Sequence, residues 1–555
     1  MRIHPFALGR LFHTVRFLKP IQIYGRIGKV IKKVRPDWAP PPPLRHLGSA
    51  WQPPIAPERS LFDGWRFQFL NVTHTLAPPT SLATPSAEKL WLYNLHYFAD
   101  LNTADAANRR AQHQAWLNRW INEVDASTGC AWEPYPTSLR IVNWAKWLLS
   151  GGTGFPALHH SLAVQARYLE HRLETHLLGN HLFENGKALI FAGVLFTGPE
   201  AERWLNKGAR ILHQQLAEQI LPDGGHFELS PMYHAQILEG LLDLINLAQA
   251  AESVLRKTID DLNIPHLASR MLLWLDTMVH PDGDISFFND AALGIAPSHA
   301  QLAGYAKSLG LHPPADSPRT TVTPLRITQL ADSGYIRMAW TDAMAILDTA
   351  NIGPDYLPAH GHADTLSFEL SIGQQRILVN SGTSCYGDSA ERLRQRGTAA
   401  HNTLAVDDEN SSEVWGGFRV ARRAYPVNLA IGQDAECVTI RCSHTGYLRL
   451  PGKVTHHRNW LGEQNALTVH DQLSGQFGHA EAHFHFHPEI RITSGGEHVF
   501  HLSKNGVRLA QIEITSCRSA TIYPSTWHPG FGLSLANQKL IVRLQGNELL
   551  TRFTW

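Results

Sequence analysis

Between residue 89 and about residue 311, apolar positions recur at three- and four-residue spacing. They fall in segments near 105–123, 137–150, 158–177, 183–197, 200–220, 231–251 and 264–280. That period is the mark of helices with one buried face. Gly, Pro or Asn punctuates each segment, so neighbours read as antiparallel helical hairpins, and this many hairpins pack as a bundle or an α/α toroid. From about Thr320 the period shortens to two, with short strands near 343–347, 440–442, 466–469, 483–487 and 540–544. Leu366, Phe368, Leu370 and Ile372 alternate strictly with polar residues, Gly373-Gln374-Gln375 can turn, and 376–379 reads as the return strand. Helices followed by strands predict an α+β chain of several domains: helical hairpins over 89–315, then an antiparallel β-sandwich over 320–555.

Residues 1–88 follow a different pattern. The first 35 hold Arg2, Arg10, Arg16, Lys19, Arg26, Lys29, Lys32, Lys33 and Arg35 with no acidic residue, and Phe6, Leu11, Phe12, Val15, Leu18, Ile23, Ile27, Val30, Ile31 and Val34 run among them. A basic amphipathic helix of this kind either lies on an anionic membrane surface or packs on the main body with its lysines solvated. Pro36 and Pro40-Pro41-Pro42-Pro43 make a stiff linker, and residues 50–90 read as an irregular wrap over the next domain.

At 555 residues, 43% hydrophobic and 17% charged, the chain has the makeup of an ordinary globular protein with more than one core. A net charge of +1 offers no global footprint for nucleic acid. The 32 histidines and 16 tryptophans lean toward carbohydrate, since sugar rings stack on indoles and imidazoles bond hydroxyls. Five cysteines (Cys130, Cys385, Cys437, Cys442, Cys517) make a disulfide framework unexpected. No apolar run is long enough to span a bilayer, and residues 1–34 lack the apolar core and cleavage site of a signal peptide. The expected location is cytoplasmic or peripheral to a membrane.

Four stretches carry candidate chemistry. In the first, Ser138 or Thr137 can cap a helix on which Arg140 and Trp144 are i,i+4 neighbours. A guanidinium beside an indole suits a carboxylated sugar, and an Arg140–Glu133 pair beside a core tryptophan is the equal alternative. In the second, Asn180 and His181 precede an apolar helix whose N-terminal end favours an anion, although Asn180 could simply be its N-cap. In the third, Ser230 and Pro231 read as N-cap and first helical residue, with Ile237, Leu241, Leu244 and Ala248 as the buried face. Tyr233 then lies in the first turn, where the helix dipole is expected to lower its pKa. The fourth joins His360-Gly361-His362-Ala363-Asp364 to Asn380, Tyr386 and His401. Two histidines plus an oxygen ligand could hold zinc, the oxygen coming from Asn380 or from Asp364.

These stretches, GNHLFENGKAL, DGGHFELSPMYH, HGHADTLSFELSIGQQRILVNSGT and RGTAAHNTLAVD, resemble in order the heparinase II/III-like polysaccharide lyases and the related alginate and oligoalginate lyases. The resemblance runs from about residue 90 to the C-terminus. LWLYNLHYFADL and FLKPIQIYGRI resemble a branch found among bacterial exopolysaccharide or lipopolysaccharide assembly proteins. The resemblance implies an α/α toroid followed by an antiparallel β-sandwich, and β-elimination in a uronic-acid polymer without a catalytic cofactor. By motif match Asn180 neutralises the uronate carboxylate with His181 beside it. Tyr233 is the catalytic tyrosine, His360 assists as base or carboxylate neutraliser, and Tyr386 is a second tyrosine. Glu133, Arg140, Trp144, Glu228 and His234 are the candidate substrate contacts. His362 and His401 match structural zinc ligands whose third partner is normally an aspartate; here it is Asn380, which removes a charge the metal favours. The implied partner is an acidic polysaccharide, and relatives with signal peptides act in the periplasm. The competing reading keeps the fold but assigns glycan binding or polymer assembly without cleavage. Paired-carboxylate hydrolysis finds no acid–base spacing among Glu133, Asp223 and Glu228, and no G-x-S-x-G elbow supports a serine nucleophile.

Overall fold

The structure, a computed structural model, describes residues 5–31, 33–48, 50–83, 86–127, 129–311, 325–434 and 436–555. The expected boundary between 315 and 320 lies outside the described residues. Thirteen α-helices occur among those described: α1 Pro5–Val15, α2 Pro20–Ile31, α3 Lys89–Tyr97, α4 Arg110–Glu123, α5 Pro134–Leu149, α6 Pro156–Glu170, α7 Gly179–Leu195, α8 Pro199–Gln219, α9 Pro231–Ala250, α10 Glu252–Asp261, α11 Ile264–Thr277, α12 His299–Ser308 and α13 Ala390–Arg396. From α3 to α12 they form the toroid. Its inner helices are buried nearly all round. In α9 the expected face of Ile237, Leu241, Leu244 and Ala248 is buried, but so are Leu238, Leu242, Asp243 and Asn246. The hairpin of α7 and α8 closes tightly because a Cβ at Gly208 would stand 2.7 Å from the Gly186 carbonyl oxygen.

Most of the tryptophans are core material rather than a sugar platform. Trp91, Trp116, Trp120, Trp144, Trp204, Trp274 and Trp460 are fully buried. Phe98 stacks on Trp116 at 3.9 Å between ring centroids and meets Trp144 edge-on at 5.4 Å. Aromatic rings of this size supply apolar area where helices diverge too far for aliphatic side chains to meet.

Three antiparallel sheets make the sandwich. The first has five strands and includes the expected hairpin Phe368–Ile372 and Gln375–Leu378. The second has eight strands and the third four. Alternation along the strand Thr455–Glu463 buries His456, Arg458, Trp460 and Gly462 and leaves the residues between them partly solvated. The inner faces of the three sheets share one apolar core, with Leu366, Phe368, Phe484 and Phe553 among its members. All five cysteines are free thiols.

Several contacts join the two halves, and one of them mounts the histidine loop. The segment between α11 and α12 leaves the toroid and hydrogen-bonds the loop that carries the histidines: Asp290 N donates to His360 O at 3.0 Å, and His362 N donates to Asn289 Oδ1 at 3.0 Å. These two hydrogen bonds tie the histidine loop to the toroid segment, a mounting for polar side chains at the cleft.

Candidate active site

Each functional side chain is delivered by a locally determined turn. Ser230 caps α9 and its hydroxyl accepts from Tyr233 N at 3.3 Å, with Pro231 at the first helical position, as the sequence predicts. This fixes Tyr233 in the first turn, pointing into the cleft. Leu178 and Gly179 both take positive φ at the start of α7, where a Cβ on Gly179 would stand 2.6 Å from Leu357 Cδ2 and 3.0 Å from Glu228 Oε1. That bend places Asn180 and His181 in the first turn of α7. Asn180 is not the N-cap, which is Leu178; its side chain hydrogen-bonds the Tyr135 phenol.

Tyr233, Tyr386 and His360 converge although they lie far apart in the chain. The two phenol oxygens are 2.8 Å apart, and the Tyr233 and His360 rings stand 4.0 Å apart. Behind them lies a carboxylate that no motif marks. Asp290 Oδ2 accepts from His360 Nδ1 at 2.9 Å and from Arg392 Nη2 at 2.7 Å; Oδ1 accepts from His362 Nε2 at 2.9 Å, from Thr383 and from Arg392 Nη1. Burial alone would raise the Asp290 carboxyl, but Arg392 and the two histidines hold it well below the usual range. A buried carboxylate at Nδ1 orients His360 so that Nδ1 donates and Nε2 faces the cleft, 3.6 Å from Glu228 Oε2.

The other wall carries opposite electrostatics. His181 Nδ1 lies 3.1 Å from Glu174 Oε1. Burial opposes charging of this imidazole, but Glu174, with Glu228 and Glu133 adding to it, raises the pKa. Glu228 sits between His181 and His360, and burial raises its carboxyl against the pull of both. Glu133 remains at the rim, 3.0 Å from Lys89 Nζ and bonded to the Tyr93 hydroxyl rather than paired with Arg140.

Several expectations are corrected. Tyr233 is not acidified by the helix end: burial, with Tyr386 and Asp290 adding to it, pushes its phenol well above the ordinary value, because desolvation of a phenolate outweighs a partial dipole charge. Arg140 does not reach the cleft. It is fully buried, donates to Gln165 Oε1 at 2.8 Å and Ala131 O at 2.8 Å, and lies over Trp120 at 4.1 Å. Trp144 is likewise interior, and α5 begins at Pro134 with Glu133 as N-cap, so Ser138 and Thr137 cap nothing. His234 is interior too: it stacks on Trp274 at 4.2 Å and its Nε2 meets Met271 O at 2.9 Å. The i,i+4 rule places residues on one face; it does not say whether that face looks inward or to the cleft.

The zinc expectation meets a short donor set. His362 and His401 lie 5.2 Å apart by ring centroid, and His362 Nδ1 and His401 Nε2 have no hydrogen-bond partner. The Asn380 amide oxygen faces His401 Nδ1 at 3.2 Å. Asp364 turns away to accept from Asn289 N at 3.2 Å, and burial raises its carboxyl to about 7. Among the described residues no group of three or more His, Cys, Asp or Glu side chains is placed to hold a metal. Two imidazoles and a neutral amide fall one charged ligand short of the usual zinc set.

Sequence reasoning missed Asp290, Arg392 and Glu174. The one signal for Asp290 is an Asn-Asp pair following the apolar Phe287-Phe288, where a solvated turn would not need such neighbours.

A helical toroid is set on an antiparallel sandwich, and two phenols and an imidazole meet in the cleft. Residues 86–313 match the family described as Heparinase II/III N-terminus and residues 323–555 the one described as Heparinase II/III-like, C-terminal. The chain belongs to the heparinase II/III-like family. A heparin-sulfate lyase of Bacteroides thetaiotaomicron is 26% identical over 270 residues, 43% of this chain and 38% of that protein, so the match spans less than half of the relative's length. FtsZ-localized protein C of Caulobacter vibrioides is 25% identical over 356 residues, 59% of this chain and 57% of that protein. A crystal structure of a heparan sulfate lyase mutant from Pedobacter heparinus shares the fold, with TM-score 0.61, 16% identity and coverage of 96% of this chain and 87% of that one.

Proposed function

We propose that this protein is a lyase that cleaves a uronic-acid-containing polysaccharide by β-elimination. The observation that carries the reading is the meeting of Tyr233, Tyr386 and His360 beside the N-terminal end of α7. The C5 proton of a uronate is removable only if the carboxylate charge is neutralised as the enolate develops. Asn180, the N-terminal turn of α7 and His181, whose pKa Glu174 raises, are suited to this.

His360 Nε2, with Nδ1 held by Asp290, takes the C5 proton. The C–H electron pair becomes the C4=C5 double bond, and the C4–O bond breaks toward the leaving sugar. Tyr233 stays protonated because its phenol is raised, so it donates its proton to the departing oxygen. Tyr386, 2.8 Å away, stabilises the phenolate left behind until His360 and solvent restore the proton. The names of the heparin-sulfate lyase relatives favour a glycosaminoglycan-like uronate polymer as the substrate class.

The test is turnover followed by ultraviolet absorbance of the unsaturated uronate, against heparosan, hyaluronan, alginate and bacterial acidic exopolysaccharide. Wild type should generate the chromophore on at least one, and Tyr233→Phe should lose about 10²–10⁴-fold in kcat while still binding that polymer. Binding without any chromophore would favour the non-cleaving reading, and full activity in Tyr233→Phe would remove the tyrosine from the mechanism.

A further inference from the structure

Helices α1 and α2 are amphipathic the wrong way round. On α1, Leu8, Leu11, Phe12 and Val15 follow i, i+3, i+4, i+7 spacing, which ordinarily marks a buried face. Here all four are exposed, Phe12 to 60%. On α2, Ile23, Tyr24, Ile27, Val30 and Ile31 also share one side at 100° per residue, and they too face solvent, with Tyr24 at 72% and Val30 at 80%.

The side that touches the body is the polar and small one. Gln22 is buried and donates to Tyr356 O at 3.2 Å. Gly25 packs where a Cβ would meet His176 N at 2.9 Å. Thr14 Oγ1 accepts from Trp415 Nε1 at 3.1 Å, and Lys19 pairs with Glu218. Both helices are thus held on the protein by their polar edges, with their apolar stripes turned outward.

The segment that carries that surface is basic. Arg26 flanks the apolar stripe of α2, Arg16 follows α1, Arg10, Lys29, Lys33 and Arg35 are exposed elsewhere on the same segment, and no Asp or Glu precedes Asp37. A second copy of the chain is a poor occupant, because a two-fold contact sets each basic segment against its own image. An anionic lipid surface satisfies both features: its acyl boundary takes the apolar stripe and its headgroups take the basic side chains. We propose that the outward face of α1 and α2 docks the protein on an anionic membrane surface, with the catalytic cleft outside the bilayer.

Flotation of the full-length protein with vesicles tests this. One set is phosphatidylcholine alone; the other is equal parts phosphatidylcholine and phosphatidylglycerol. The protein should float with the anionic set only. Ile27→Glu/Val30→Glu should abolish flotation, and these positions are exposed, so circular dichroism should be unchanged. Each Lys or Arg near an anionic surface is worth about fivefold in partitioning, so Arg26→Glu/Lys29→Glu should weaken binding at least about tenfold. The proposal is overturned if wild type floats with neither set or equally with both, or if Ile27→Glu/Val30→Glu still floats. It is also overturned if wild type is a dimer in solution that this double variant converts to monomer, since a second copy then covers the face.

Discussion

Asp290→Asn is the perturbation that best probes how the cleft is built. Asp290 and Arg392 have fully buried side chains, and both Arg392 terminal nitrogens donate to the carboxylate. Oδ1 also accepts from His362 and Oδ2 from His360, so every oxygen lone pair is in use. An amide keeps the shape but replaces one acceptor oxygen by an NH2 group, which must then face either an Arg392 N–H or a histidine N–H. It also leaves the guanidinium buried without a counter-charge. Breaking a buried pair by removing one partner costs about 3–5 kcal/mol. The assay is urea unfolding of Asp290→Asn, Arg392→Met and the double variant. Each single change should lower stability by about 3–5 kcal/mol. The double should cost about 1–3 kcal/mol less than the sum, because no charge is then stranded. Activity should fall in Asp290→Asn beyond any loss of folded protein, since His360 loses the acceptor that orients it. The sign with pH is definite: the folded-state pKa of Asp290 is depressed, so its contribution is complete above the ordinary carboxylate range and is lost as pH falls through the depressed value. Additive costs in the double variant, or an unshifted midpoint in Asp290→Asn, would refute the reasoning.

Three further changes probe other parts of the site. His181 is raised chiefly by Glu174, so KM should increase as pH climbs through that raised value; Glu174→Gln leaves only Glu228 and Glu133 to oppose desolvation, and the KM limb should move to lower pH in a KM–pH profile. Asn380→Asp supplies the missing charged ligand, so bound zinc measured by elemental analysis should rise toward one per chain, whereas wild type should retain less after the same dialysis. Arg140→Met strands the Ala131 and His96 carbonyls and Gln165, so it should cost about 1–3 kcal/mol per unsatisfied group and lower the melting temperature without changing KM; a KM rise would return Arg140 to the substrate.

Most elements were legible in the chain, because apolar spacing is a local property that burial enforces along each segment; the exception is 50–90, which reads as an irregular wrap but holds a three-stranded sheet of Leu61–Phe62, Arg66–Phe69 and Val72–Thr75. The helical spacing of 231–251 matches α9, and the alternation of 366–372 marks the strand Phe368–Ile372, although it predicts a half-buried strand and the polar Glu369 and Ser371 are buried too. The cap at Ser230 and Pro231 was legible for the same reason: it is settled by residues within one turn. So was the presence of Tyr233, Asn180 and His360 in motif stretches. What lay beyond local chemistry is which face of each element meets what. Arg140, Trp144 and His234 have the composition of a sugar site and are core, because the toroid turns their helix faces inward. The same ambiguity runs the other way in α1 and α2, whose spacing looks like a buried face and whose packing leaves it outside. Tyr233 shows it in its chemistry: a helix start argues for an acidic phenol, but only the packed cleft reveals how much water has gone, and desolvation wins. Asp290 is the clearest case. It is 70 residues from His360 and 102 from Arg392, so its role exists only once the fold closes those distances into hydrogen bonds. Sequence determines what each segment can become; removal of water, which depends on every other segment, decides what each polar group does there.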